Sequence, residues 1–465
     1  MNDVRPEDGA HIPPASGGTY PLRAGNAIEP LIDGEPAFRR ICEAVEKAQH
    51  SVWVTVAYYE HAVRMPDERG SFFDVLDRAA AKGIDVRVIF WREPRLPEVE
   101  PGSSHFSGSA DQLRWLEQRG SKLLARFDRL PNAYCQHQKS WLVDAGEVSE
   151  VAFVGGINLD RASISAPRHA PRDTLHVHDL YVEIRGPAAT DVHHNFVQRW
   201  NEASERGLLD GEWPSAAAAA ALEFPKFTSR PVGSIAAQVT RTIMPNRYMD
   251  ETATPDAKPL RIVDGEHSVF EQYIAALDAA ERCIYIENQA IASPEIVDAL
   301  YSALERGIEV VFLVPGEAHP AFVEARKNPR AQPFFERLGR LGQFDHFTLA
   351  AIASQRGTGE YQEIYVHAKI AIVDDCWATI GSTNVAARSF RRDSELNVSF
   401  WHEGVARRLR EALLLEHLDR DTSLLGGRAA LALFRAVARE NRDRKGCAEP
   451  LEGLAYALDP NEYGH

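Results

Sequence analysis

The residues best suited to chemistry in this chain of 465 residues occur in two copies of one pattern. The first copy contains His137, Lys139 and Asp144, followed by the glycine-rich stretch that ends in Asn158. The second contains His367, Lys369 and Asp374, followed by the stretch that ends in Asn384. The common pattern is H-x-K-x4-D followed by G-[GS]-x-N. Because a long pattern recurs at corresponding places, we predict one site built from both copies.

The spacing within each copy indicates which side chains act together. Residues two apart in a strand point to the same face, so each histidine is expected to lie beside its lysine. Asp144 and Asp374 belong to the catalytic motif by position. They fall on the opposite face of an unbroken strand, however, and we expect them mainly to fix the end of that strand. Asn158 and Asn384 can donate amide hydrogens to a bound anion.

Two imidazoles, two lysines and two amides suit in-line displacement at a phosphodiester. One imidazole would attack phosphorus while the other protonates the leaving oxygen, and an unperturbed imidazole pKa of about 6.5 makes both protonation states accessible. The lysines and asparagines would stabilise charge on the equatorial oxygens, as phosphate-binding groups. This scheme requires no metal and no cofactor, and we predict neither.

A nucleophilic imidazole needs an acceptor on its second ring nitrogen, which sets the tautomer and the orientation. Asp179 follows His137 by 42 residues and Glu395 follows His367 by 28, at matching places of the two copies. We predict that these carboxylates orient the histidines. The alternative is that each is a surface carboxylate at the start of a strand.

The elements around these motifs are duplicated as well. Leu31–Glu35 is echoed by Ile262–Glu266, and in each half an amphipathic helix and an apolar strand follow. We predict an α/β protein of two homologous α-β-α sandwich domains with pseudo-twofold symmetry and the active site at their interface. The expected divisions are a tail over 1–25, domains over 26–204 and 259–421, a connector with a short helix at Ala216–Ala221 over 205–258, and a helical tail over 422–465.

The charge and composition restrict the partners. With 52 Lys and Arg against 67 Asp and Glu, the formal net charge is −15. This charge disfavours both the binding of nucleic acid and lasting attachment to an anionic membrane. Five cysteines without a CxxC pair favour reduced thiols over a disulfide framework. No signal-peptide pattern and no long apolar segment occur, so we expect a cytoplasmic monomer, with signal-less export left open.

Two further features have competing interpretations. His169, His176, His178, His193 and His194 are close in sequence, but no metalloenzyme spacing such as HExxH occurs, so we expect no metal there. The segment Gly316–Glu360, with Phe334 and Phe335, either inserts into lipid or lines an acyl pocket, or else packs as ordinary core or loop.

Taken together, the duplicated motif resembles that of the phospholipase D superfamily. Further segments resemble its two-domain bacterial branch, among them Glu29–Gly34, Phe153–Asn158, Phe196–Asn201, Ile284–Gln289 and Ile364–His367. The resemblance implies that His137 is the nucleophile, forming a phosphohistidine, and that His367 is the general acid. Gln289 either borders the pocket or packs without a role in binding.

The resemblance also implies the reaction. We expect hydrolysis or transphosphatidylation of a glycerophospholipid such as phosphatidylcholine, giving phosphatidic acid upon hydrolysis, at a transiently contacted membrane or micelle surface. The main alternative is a synthase of cardiolipin or a related lipid. A nuclease and a non-catalytic lipid-binding protein are the less favoured alternatives.

Overall fold

The first half of the chain forms one sheet flanked by helices. A computed structural model describes residues 12–93, 105–214 and 220–465. The strands of this half are β1 (Arg23–Ile32), β2 (Ser51–Val56), β3 (Asp85–Trp91), β4 (Leu124–Asp128), β5 (Ser140–Val143), β6 (Val151–Gly155), β7 (His176–His178), β8 (Leu180–Arg185) and β9 (Glu212–Trp213). Its helices are α1 (Gly34–Lys47), α2 (Phe72–Ala81), α3 (Ala110–Arg119) and α4 (Ala189–Asn201).

The second half repeats this arrangement with longer strands and additional helices. Its strands are β10 (Ile235–Ile243), β11 (Glu266–His267), β12 (Cys283–Asn288), β13 (Ile291–Ala292), β14 (Glu309–Leu313), β15 (Phe347–Gly357), β16 (Glu360–Val366), β17 (Lys369–Val373), β18 (Trp377–Gly381), β19 (Val385–Ala386), β20 (Glu395–Trp401) and β21 (Ala455–Leu458). Its helices are α5 (Ser268–Ala279), α6 (Pro294–Glu305), α7 (Pro320–Arg326), α8 (Gln332–Leu341), α9 (Ala387–Arg391), α10 (Glu403–Leu418) and α11 (Gly427–Gly446).

The two halves have the same strand order, as the internal repeat predicts. In the first, the order is β8-β6-β5-β2-β3-β4, and in the second it is β20-β18-β17-β12-β14-β15. In each half the last three strands are parallel and the first three antiparallel. Strand β1 pairs with β8 and with β10, and β7 pairs with β16, so hydrogen bonds join both sheets into one.

Three large apolar cores separate the layers, and two small clusters accompany them in the described residues. One packs α1 and α2 against the outer face of the first sheet, and another packs α5, α6 and α8 against the outer face of the second. The largest lies between the halves and includes α4, α10 and α11. Helices thus cover both faces of each sheet, and the predicted pair of homologous α/β sandwich domains is confirmed.

The region between the halves contains more structure than the sequence analysis expects. Ile235–Ile243 forms the buried strand β10, which pairs with β1 and with β20. Of the run in which a short helix is expected, Ala216–Ala219 lies outside the described residues, and Ala220 and Ala221 are not helical. In the C-terminal tail, helix α11 is followed by β21, which pairs with β15.

None of the helices within the described residues is both long and apolar enough to cross a bilayer.

Candidate active site

The two histidine motifs are held at the junction of the halves by backbone pairing across it. The amide of His137 donates to the carbonyl of Ser394 at 2.9 Å, directly before Glu395. In the other copy, the amide of His367 donates to the carbonyl of His178 at 2.9 Å, directly before Asp179. Each histidine therefore lies beside the carboxylate-bearing segment of the opposite half.

The side chains pair in the same way, so that each histidine contacts the carboxylate of the other half. Nδ1 of His137 lies 3.0 Å from Oε2 of Glu395, and Nδ1 of His367 lies 2.6 Å from Oδ2 of Asp179. All four side chains are buried. With Nδ1 occupied, Nε2 is the ring nitrogen left to face a substrate in both copies.

A small asymmetry distinguishes the two pairs. The hydroxyl of Ser382 donates to Oε2 of Glu395 at 2.6 Å and thereby fixes that carboxylate. Gly156 occupies the matching position in the first half, where a Cβ would come within 2.4 Å of Oδ1 of Asp179. At this position of the motif, glycine in the first half leaves space for Asp179, and serine in the second half hydrogen-bonds Glu395.

The lysines are buried and directed toward the same region. Nζ of Lys139 donates to the carbonyl of His137 at 2.9 Å, and Nζ of Lys369 donates to the carbonyl of His367. Lys369 also donates to Oε1 of Gln289 at 3.1 Å. Gln289, for which the sequence analysis leaves a place at the pocket open, therefore positions the second lysine and lines the cavity.

The motif aspartates lie apart from the histidines and bind backbone amides. Oδ1 of Asp144 accepts hydrogen bonds from the amides of Gln49, His50 and Ser51, at the start of β2. Asp374 accepts corresponding bonds from the amides of residues 281, 282 and 283, at the start of β12. Both aspartates have positive φ, of 53° and 54°, in the turns that end β5 and β17.

Both histidines line a single cavity of about 940 Å³. Asn158 and Asn384 also line it, and Oδ1 of each is buried without a hydrogen-bond partner among the described residues. One wall is apolar and comes from α7, α8 and the turn between them, with the side chains of Ala321, Phe322, Ala325, Ala331, Phe334 and Phe335. The predicted alternative in which the two phenylalanines contact substrate therefore has a cavity to support it.

The lining of the cavity also includes functional candidates that sequence spacing did not single out. Tyr58 and Trp91 pack edge to face, and the Tyr58 ring lies 6.2 Å from that of His137. Carboxylates of Glu60, Glu93, Asp160 and Asp393 line the same cavity. A signal existed for the aromatics, since Tyr58 and Trp91 stand at or just beyond the C-terminal ends of the parallel strands β2 and β3, where sites in α/β folds gather.

Burial dominates the electrostatics of the site. It lowers the pKa of His137 and His367 well below the usual value, with the neighbouring lysines as the next cause. Burial also raises the pKa of both Asp179 and Glu395 to about 7, and it lowers that of Lys369 to about 7. A bound phosphodiester anion would favour the charged lysines and imidazoles, because it supplies the missing negative charge.

The five histidines that are close in sequence divide into two sets: His193 and His194 lie on α4 with separate partners, whereas His169, His176 and His178 remain in ring contact with one another. His193 lies 3.2 Å from Glu150, and Nδ1 of His194 lies 3.2 Å from the hydroxyl of Tyr20. His169 and His178 face each other at 3.4 Å in a buried group behind His367.

Family models match most of the chain. A model described as "Cardiolipin synthase, PLD-like domain" matches residues 41–200 and 273–414, which is more than half of the sequence. A second, described as "Phospholipase D", matches residues 168–296. A crystal structure of phosphatidylserine synthase from Haemophilus influenzae has the same fold, with a TM-score of 0.58 at 11% identity over 92% of this chain and 97% of that one.

Curated relatives resemble this chain at low identity. Phospholipase D A of Dictyostelium discoideum is 25% identical across 81% of this chain, which spans only 33% of that protein. A cardiolipin synthase of Listeria monocytogenes is 23% identical across 84% of this chain and 69% of its own length. The major cardiolipin synthase of Bacillus subtilis is 24% identical across 83% and 67%. The chain therefore belongs to the phospholipase D superfamily of phosphodiester-cleaving and phosphatidyl-transferring enzymes, in its two-domain bacterial branch.

Proposed function

We propose that this protein transfers the phosphatidyl group of a glycerophospholipid through a phosphohistidine intermediate. The observation that carries the proposal is the crossed pair His137–Glu395 and His367–Asp179, which brings two imidazoles from different halves to one cavity. Lys139 and Lys369, with Asn158 and Asn384, supply the positive charge and amide donors that a pentacoordinate phosphorus requires.

The reaction divides into two displacements. Nε2 of His137 attacks phosphorus, and the headgroup oxygen leaves with a proton from Nε2 of His367. An acceptor hydroxyl then gives its proton to His367 and attacks phosphorus, which breaks the phosphorus–nitrogen bond and restores both histidines. Water as acceptor yields phosphatidic acid, and an alcohol yields a new phospholipid.

The residues that line the cavity favour a lipid with a cationic or hydroxylated headgroup, such as phosphatidylcholine. The phenylalanines of α7 and α8 offer an apolar surface to an acyl chain. Tyr58 and Trp91 line the same cavity together with four acidic residues, which is a suitable environment for an ammonium group. We expect a monomer that meets its substrate transiently at a cytoplasmic membrane surface or a micelle.

Synthesis of cardiolipin or a related lipid is the second candidate. It is favoured by the similarity to cardiolipin synthases across more than four fifths of this chain. The two candidates share the first displacement and differ in the acceptor, so the identity of the product separates them.

A lipid-panel assay with mass-resolved products tests the proposal. Phosphatidylcholine, phosphatidylethanolamine and phosphatidylglycerol are each supplied with water alone, with glycerol, or with phosphatidylglycerol as acceptor. We expect His137→Ala and His367→Ala each to reduce turnover by about 10³-fold or more, whereas His346→Ala, remote from the cavity, retains it. Rapid denaturation without acid during turnover should trap the phosphatidyl group on His137. Near-normal turnover in either variant of the pair contradicts the two-imidazole mechanism.

A further inference from the structure

We propose that Asp33, His169, His178 and Glu416 form a zinc site one layer behind His367. All four side chains are buried, and one potential ligand atom from each lies within 4.8 Å of the others. Asp33, His169 and His178 belong to the first half, and Glu416 belongs to α10 of the second. None of the four residues lines the cavity, so the ion would not contact the substrate of the proposed reaction.

The distances among these atoms fit a tetrahedral ion. Nε2 of His169 lies 3.3 Å from Oδ1 of Asp33, 3.2 Å from Oε1 of Glu416 and 3.4 Å from Nδ1 of His178. Nδ1 of His178 lies 2.9 Å from Oδ1 of Asp33 and 3.8 Å from Oε1 of Glu416. A tetrahedron with zinc–ligand bonds of about 2.0–2.2 Å has edges of about 3.3–3.6 Å, which lies in the middle of this range.

Hydrogen bonds alone account poorly for this convergence. A ring nitrogen donates at most one hydrogen, yet Nε2 of His169 faces two carboxylate oxygens and a second imidazole nitrogen within 3.4 Å. Oδ2 of Asp33 and Nδ1 of His169 are buried and have no hydrogen-bond partner among the described residues. Two imidazoles and two carboxylates around one point are a ligand set that Zn²⁺ accepts.

The surroundings of His178 resemble the outer shell of a metal site. Its Nε2 lies 2.8 Å from Oε2 of Glu287, which leaves Nδ1 as the nitrogen directed at the proposed ion. Glu287 is held in turn by Nε2 of His417 at 3.0 Å and by the hydroxyl of Tyr285 at 2.5 Å. A ligating histidine whose second nitrogen donates to a fixed carboxylate is the common arrangement around protein-bound zinc.

The backbone at Asp33 is shaped to present its carboxylate to this group. Asp33 precedes helix α1 as its N-cap residue, but its side chain makes no capping hydrogen bond, and its φ is 64°. The next residue must be glycine, since a Cβ at Gly34 would come within 1.8 Å of the carbonyl oxygen of Ser163. An aspartate at this position normally caps the helix, and here its carboxylate turns instead to His169 and His178.

The position of the site gives the ion a structural role: it would hold in place the segment that carries Asp179. The amide of Asp33 donates to the carbonyl of Asp179 at 2.9 Å, and His178 directly precedes Asp179 in the chain. The amide of His367 donates to the carbonyl of His178. An ion that fixes Asp33 and His178 and also binds Glu416 therefore joins the halves and fixes the carboxylate that positions His367.

Metal analysis of the full chain tests the site. The protein is produced in zinc-supplemented medium, dialysed against a weak chelator, and analysed by mass spectrometry of the elements. We expect about one zinc per chain in the wild type and a loss to background in His169→Gln and Asp33→Asn. His176→Gln, at a neighbouring buried histidine outside the four, should retain zinc, as should His137→Asn. Zinc-free wild-type protein, zinc retained in His169→Gln, or zinc lost in His137→Asn overturns the assignment.

A cobalt titration keeps the test valid if the ligand variants fold poorly. Wild-type protein is stripped with a strong chelator, and Co²⁺ is added while the visible spectrum and the melting temperature are recorded. We expect the intense visible bands of tetrahedral Co²⁺ to saturate at about one equivalent, with a rise in Tm. No band and no rise in Tm would show that the four side chains form a proton-linked network without an ion.

Discussion

The carboxylate of Glu395 lies 3.0 Å from Nδ1 of His137, although 258 residues separate the two in sequence. The symmetry-related contact between Asp179 and His367 spans 188 residues. Each half therefore supplies the group that orients the histidine of the other. A single isolated half has a histidine without its acceptor, so the arrangement makes the active site depend on correct packing between the halves.

Removing either acceptor should reduce kcat much more than it affects substrate binding. In Glu395→Gln and Asp179→Asn the shape is retained, but the neutral amide neither stabilises a charged imidazole nor fixes its tautomer. We expect kcat to fall by about 10²- to 10⁴-fold with KM within a few-fold of the wild type, measured on a soluble short-chain phosphatidylcholine.

The matched control for this pair is Glu309→Gln. Glu309 is a buried glutamate of β14 that lies 3.2 Å from Arg435, away from the cavity. It should alter stability without a selective loss of kcat. Equal losses in Glu309→Gln and Glu395→Gln would indicate that the glutamates act only through folding.

Much of this fold follows from local pattern. The histidine and lysine motifs, the apolar strands and the duplicated helices are all contained within short segments, so the sequence predicts both the domains and the residues that meet at the site. The matching positions of Asp179 and Glu395 in the repeat identify these two carboxylates as well.

The crossed pairing and the strand β10 were not predictable in this way. Sequence register places each carboxylate in the same half as a histidine, whereas the packing of the halves decides which histidine it reaches. Ile235–Ile243 was missed because its neighbours are proline-rich and its pairing partners, β1 and β20, are remote in sequence. The approach of Glu416 to Asp33 could not be predicted either, because the two residues are remote in sequence and no motif spacing links them.

Substitution of the motif aspartates should reduce stability more than catalysis. Asp144 holds three backbone amides at the start of β2, and hydrogen bonds to a charged group each contribute about 1.5–3 kcal/mol. We expect Asp144→Ala to lower the Tm by several degrees, measured by calorimetry, while the folded fraction keeps kcat within a few-fold.

The exposed Asp278 of α5 provides the control, since Asp278→Ala should leave the Tm unchanged. A large drop in kcat for Asp144→Ala at a temperature where the protein is fully folded would instead place this carboxylate in the reaction.

Chain-length preference should depend on the apolar wall of the cavity. Each methylene of an acyl chain that is buried there contributes about 0.8 kcal/mol, so KM should fall as the chains of monomeric phosphatidylcholines lengthen. In Phe334→Ser this dependence should flatten, with little change for the shortest substrate. Phe227→Ser, at a phenylalanine that is 85% exposed and outside the cavity, should leave the dependence as in the wild type. If KM depends on chain length equally in Phe334→Ser and Phe227→Ser, the acyl chain does not bind against Phe334.

The acid side of the pH profile should include the titration of Glu395. Burial raises the pKa of this carboxyl to about 7, and the ionised form is the one that accepts a hydrogen bond from His137. As the pH falls through about 7 the carboxylate is protonated, so kcat/KM of the free enzyme should decrease on that side.

Glu395→Gln removes one ionisable group. The slope of log kcat/KM against pH below 7 should therefore become shallower by up to one unit. Rates are measured on a soluble phosphodiester so that lipid packing does not change with pH. If wild type and Glu395→Gln have the same slope and differ only in height, the acid limb belongs to other groups, and Glu395 orients His137 without setting its pH range.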